Sequence, residues 1–96
     1  MTIDDYADWA ATVAKVTPPP ASERLAYLGL GLTGESGEVA EHVKKLLRDG
    51  TLDQAAMAEE LGDVVYYWAS LCATLGLKPS EVLAASKAKI SARLAR

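Results

Sequence analysis

The chain has 96 residues, half of them apolar, and a formal net charge of −3. That length suits one domain over residues 1–96 with a thin core, because so short a chain buries only roughly 60–65% of the surface its unfolded form exposes. The apolar share excludes general disorder, and the negative charge argues against a nucleic-acid surface, which needs clustered Lys and Arg.

The start, Met1 to Asp5, is acidic and lacks the basic residues and apolar run of a signal peptide. A first helix is predicted from about Thr2 to Val16, with Ile3, Tyr6, Ala10 and Val13 on one face. Pro18, Pro19 and Pro20 end it, since proline blocks helix continuation. Ser22 before Glu23 reads as an N-cap with an acid in the first turn. The second helix then runs to about Arg48 and stops at Gly50. Gly29, Gly31, Gly34 and Gly37 lie inside it and put its continuity in question. Asp53 caps a third helix to about Leu75, stopped by Gly76, and Pro79 opens a fourth to about Arg93.

The pattern is all-α. From Val64 to Leu75 the third helix carries no charge on any face. A helix apolar all round is buried all round, and three short neighbours hardly enclose it. A dimer or larger assembly is therefore expected. The uncharged stretch from Val64 to Leu77 is too short to span a bilayer, which takes about 20 residues. Cys72 is the only cysteine, so no internal disulfide forms, as suits a reducing cytosol. The expected setting is cytoplasmic, with no membrane partner.

Two acid pairs carry the chemistry: Glu35 with Glu38, and Glu60 with Asp63. Helical side chains at i and i+3 share a face, so each pair sets two carboxylates side by side. The short connection from Asp49 to Leu52 favours antiparallel helices, which brings the pairs opposite one another. Two unit charges about 4 Å apart repel by roughly 4 kcal/mol at an effective dielectric of 20. A hard divalent cation with oxygen ligands removes that conflict. With no His or Cys cluster nearby, Mg²⁺ or Mn²⁺ is expected rather than structural Zn²⁺. The competing reading is a set of solvated surface acids. Gly31, Gly34 and Gly37 repeat beside the Glu35 face; they suit either tight helix packing or close approach of a ligand.

The stretch Gly31 to Glu41, then Lys44-Lys45, then Glu59-Glu60-Leu61-Gly62-Asp63-Val64, resembles the MazG-like nucleotide pyrophosphohydrolases, whose signature is EExxE, a spacer and ExxD. The resemblance runs from about Tyr27 to Arg93, with Lys89 and Arg93 matching a tail pattern Asn-x-x-Lys-x-x-x-Arg. Gly34 stands where the first Glu of EExxE would be, and Ser86 replaces the tail Asn. The resemblance implies an all-α, four-helix MazG-like bundle and cleavage of a nucleoside triphosphate to monophosphate and pyrophosphate; the assembly expected from the third helix is a homodimer or homotetramer. It implies Glu35, Glu38, Glu60 and Asp63 as catalytic metal ligands, with Mg²⁺ aiding attack of water on the α-phosphorus. Glu41 or Glu59 is an alternative group for orienting the water. Lys44, Lys45, Ser86, Lys89 and Arg93 are the substrate-contact candidates. Lys44, Lys45, Lys89 and Arg93 also lie near helix C-termini, where cations are favoured in any case. Trp9, Tyr66, Tyr67 and Trp68 read as core or interface, with base stacking as the alternative, and His42 reads as a surface residue. The implied role is nucleotide-pool house-cleaning. Two alternatives stand beside it: a regulatory module that binds metal and nucleotide without turnover, and a purely structural helical dimer.

Overall fold

The structure, a computed structural model, describes residues 1–13 and 21–96. Four helices and no strand occur among them: α1 (Ile3–Val13), α2 (Ala21–Asp49), α3 (Gln54–Thr74) and α4 (Pro79–Leu94). The expected end of the first helix at Val16 and the three prolines lie outside the described residues.

Local chemistry explains the boundaries. Thr2 and Asp5 close a reciprocal cap on α1: each backbone N–H donates to the other's side-chain oxygen at 3.0 Å. α2 begins at Ala21, one residue before the expected cap, so Ser22 lies inside the first turn. All four interior glycines are accommodated and α2 is continuous. It ends where Gly50 turns to φ +78° and its N–H donates to the Leu46 carbonyl at 2.8 Å. Asp53 caps α3 by accepting from the Ala56 N–H at 3.0 Å. Gly76, at φ +70°, ends it with the Leu77 N–H donating to the Cys72 carbonyl.

The four-residue link 50–53 folds α3 back along α2, and this is the most extensive helix pair in the chain. Its seam is read off α2: Leu28, Gly31, Leu32, Glu35, Val39 and His42 are buried or half-buried, at alternating three- and four-residue spacing. α1 lies on another side of α3, and α4 touches α1 and α3 but not α2. Asp4 ties α1 to α4, accepting from the Ser80 N–H at 2.9 Å and from its hydroxyl at 2.5 Å. Those two bonds hold the Asp4 carboxyl below its ordinary range.

The core is small. Among the described residues Ala7, Ala10, Leu28, Ala69, Cys72 and Pro79 are its buried apolar members, and no large side chain is fully enclosed. The charge-free part of α3 is not sheathed all round: Val65 within it and Leu75 at its C-cap stay exposed. The radius of gyration is 15.7 Å, against about 12.5 Å for a compact chain of this length. The accessible surface is 6895 Å², where a compact monomer of this mass shows about 5,300 Å².

The glycine stripe divides by packing. A Cβ on Gly31 would overlap the Tyr67 ring, whereas Gly34 and Gly37 face open space. Tight helix contact therefore accounts for Gly31 alone. Gly31→Ala is expected to destabilise by about 1–3 kcal/mol through overpacking, while Gly34→Ala and Gly37→Ala each stabilise by about 1 kcal/mol through helix propensity. Thermal melts check this; a loss at Gly34 or Gly37 would mean that another surface sits on them.

Candidate functional site

The α2–α3 seam brings three of the four expected acids together. One carboxylate oxygen from each of Glu35, Glu60 and Asp63 lies within 4.8 Å of the others. Glu35 and Glu60 are half-buried; Asp63 is exposed. Glu35 takes its place because it lies on the inner stripe of α2, seven residues after Leu28, and Glu60 faces it from α3. Glu38 falls outside the three-oxygen group. It flanks the stripe instead of lying on it, and it is exposed.

The charges act on one another. The Glu35 carboxyl is pushed above its ordinary value, first by burial, then by the negative charges of Asp63, Glu60 and Glu38, and by a hydrogen bond with Glu60. This is the response of a carboxylate crowded by its own kind. Three hard oxygen donors from two rigid helices form a donor set that suits Mg²⁺ or Mn²⁺, and no thiolate or imidazole joins them among the described residues.

Two tyrosines lie within electrostatic reach of the cluster, Tyr67 of Glu35 and Tyr6 of Asp63. Tyr67 packs on Gly31 and meets Tyr66 edge-on at 5.4 Å. Burial, then the neighbouring Tyr27 and Glu35, raise the Tyr67 phenol. From α1, Tyr6 is raised by burial, Tyr66 and Asp63; its ring lies 5.5 Å from that of Trp9, which is largely exposed. Tyr66, Tyr67 and Trp68 are half-buried in the helix packing.

The basic candidates are scattered. Lys44 is exposed and lies 4.0 Å from Glu41. Lys45 lines an open cavity of about 210 Å³ with His42, Asp49, Thr51 and Asp53 at the far end of α2. Ser86 is half-buried, and Lys89 and Arg93 are exposed. All three are on α4, which does not touch α2 within the chain. Glu41 and Glu59 are exposed.

His42 departs from expectation. It is half-buried, at the edge of that open cavity: its side chain is 15% exposed and its Nε2 lies 3.8 Å from Glu60 Oε1. Its signal was present in the spacing, since it follows Glu35 by seven residues and so shares the inner stripe. Cys72, by contrast, is a buried thiol raised by its burial, away from the acids.

Residues 24–95 match the family model of the MazG nucleotide pyrophosphohydrolase domain. The "Gene 37 protein" of Mycobacterium phage L5 is 41% identical over 76 residues, covering 74% of this chain and 67% of that protein. No solved structure matches. The matched region holds the whole acid cluster and leaves α1 outside it. No helix among the described residues is long and apolar enough to cross a membrane.

The raised Glu35 carboxyl has a consequence for stability. The folded chain holds that proton more tightly than the unfolded chain, so this contribution is present below pH 4.5 and is lost as pH rises through the higher folded value. Asp4 and Asp49, both lowered from 3.8, act below that value and in the opposite sense. In metal-free buffer the melting midpoint of wild type is expected to fall more above pH 4.5 than that of Glu35→Gln. Equal slopes for the two proteins would contradict the crowding of the acids.

Proposed function

Since the chain belongs to the MazG nucleotide pyrophosphohydrolase domain family, we propose that it hydrolyses nucleoside triphosphates to monophosphate and pyrophosphate. The observation that carries this reading is the trio of carboxylate oxygens within 4.8 Å of one another across α2 and α3. In this reading Glu35, Glu60 and Asp63 hold a divalent ion, Mg²⁺ with Mn²⁺ as substitute, and Glu38 joins from the flank of α2. The ion, when bound, supplies charge neutralisation at the phosphates and a more acidic water.

The chain's own residues do the rest. Half-burial of Glu35 and Glu60 limits competition from bulk water for their oxygens. The i, i+3 spacing of Glu60 and Asp63 fixes two donors on one rigid face. Glu38 and Asp63 are both exposed, which leaves them accessible to a triphosphate from solvent. Attack of water at the α-phosphorus forms the new P–O bond of the monophosphate and breaks the bond to the bridging oxygen; pyrophosphate leaves with that oxygen, and the water's proton is released to solvent.

The site is one domain's work, but we infer that the working form is an assembly of copies. Leu30, Leu47 and Leu94 are each more than 70% exposed, and Tyr27 and Trp9 more than half. The surface excess over a compact monomer, about 1,600 Å², exceeds the roughly 800 Å² per partner that a standard interface covers. Ser86, Lys89 and Arg93 sit on α4, away from α2 of their own chain. Against a second copy they would have a route to the phosphates.

Pyrophosphate release, measured over a panel of triphosphates with Mg²⁺, is expected for wild type and reduced to background in Glu38→Ala and Asp63→Ala. No release from any triphosphate, with tight nucleotide binding by titration, would replace the enzyme by a nucleotide-binding regulatory module. Light scattering is expected to give at least twice the 10.2 kDa chain mass; a monomeric mass would contradict the assembly.

A further inference from the structure

His42 lies outside the acid pairs, and its position calls for an explanation. Between Leu28 and His42, the only charged or polar side chains of α2 that are not exposed are Glu35 and His42. The other inward positions are glycine or apolar. A half-buried imidazole on such a stripe needs a partner, and the acid across the seam is Glu60, with Nε2 3.8 Å from Oε1. His42 does not belong to the group of atoms that converge within 4.8 Å. It reaches Glu60 from outside that group and does not act as a fourth donor within it.

Glu60 is the acid for which such a contact matters most. The last torsion of a Glu side chain is broad, so packing alone does not set the plane of its carboxylate. Holding a Glu in one conformation costs up to about 2 kcal/mol of rotamer freedom. Glu60 is 22% exposed, and its carboxylate also hydrogen-bonds Glu35. A donor on one oxygen fixes the plane and leaves the second oxygen for Glu35 and Asp63. Closing the contact by about 1 Å brings it into hydrogen-bond range, a shift that a side chain makes without moving either helix.

We propose that His42 is a positioning residue that orients the Glu60 carboxylate from across the α2–α3 seam, fixing which oxygen it presents to a divalent ion. The proposal rests on the reading of Glu35, Glu60 and Asp63 as metal ligands. It does not require His42 to touch ion or substrate.

The test is calorimetric titration of the full chain with Mn²⁺, without nucleotide, for wild type, His42→Gln and His42→Leu. Gln keeps an N–H donor at similar reach; Leu keeps the volume and loses the donor. His42→Gln is expected to bind Mn²⁺ within about threefold of wild type and His42→Leu about tenfold more weakly, the range seen when an outer partner of a metal ligand is removed. In the Glu60→Gln background, His42→Leu is expected to add no further loss. With a triphosphate, His42→Leu is expected to lower kcat more than it raises KM. His42→Met repeats the comparison with different packing if the Leu variant fails to fold. Equal Mn²⁺ affinity in wild type and the apolar variants overturns the proposal. So does tighter binding in the apolar variants, which would make His42 a counter-charge competing with the ion. Equal losses in the Gln and Leu variants would also overturn it, as a matter of shape alone. Wild type that takes up no Mn²⁺ would sink the metal-site reading itself, a result distinct from these.

Discussion

Everything at the seam between α2 and α3 follows from three carboxylates held closer than they would choose. Glu35, Glu60 and Asp63 lie within 4.8 Å of one another, and like charges at that distance work against folding. The raised Glu35 carboxyl records the conflict. The helices hold the arrangement through other means. Gly31 lets Tyr67 lie directly on α2, Asp53 caps α3, and Gly50 reverses the chain over four residues. The cluster is thus a local electrostatic cost carried by good packing and good turns on either side.

The fold was largely legible in the sequence. Glycine marks the ends of α2 and α3, because left-handed φ at Gly50 and Gly76 leaves few alternatives, and Pro79 marks the start of α4. The start of α2 was misplaced by one residue at Ser22, since a plausible cap residue in a first turn looks the same in sequence as one at its edge. The glycines of α2 were ambiguous for a different reason. Spacing alone gives Gly31, Gly34 and Gly37 one character, while the actual packing of Tyr67 separates Gly31 from the rest.

The acids were legible as two facing pairs, but not which three of them converge. Counting i and i+3 joins Glu35 with Glu38, yet the seam alternates threes and fours through Leu28, Leu32, Glu35, Val39 and His42. That alternation leaves Glu38 on the flank and brings His42 inward. A histidine beside Glu41 reads as surface when only its neighbours are weighed; its register with Glu35 tells more. The positions of Lys89 and Arg93 relative to the acids were not legible at all, because α4 meets α1 and α3 through contacts far apart in sequence, among them Asp4 with Ser80. The apolar surface left uncovered by so thin a core is the physical ground for expecting further copies of the chain around it.

The central claim is that Glu35, Glu60 and Asp63 together hold one divalent ion. Anomalous diffraction from crystals grown with Mn²⁺ tests it directly. The account predicts a single strong peak within coordination distance of all three carboxylates. Crystals that show no peak there, or manganese bound only at other acids, would contradict it.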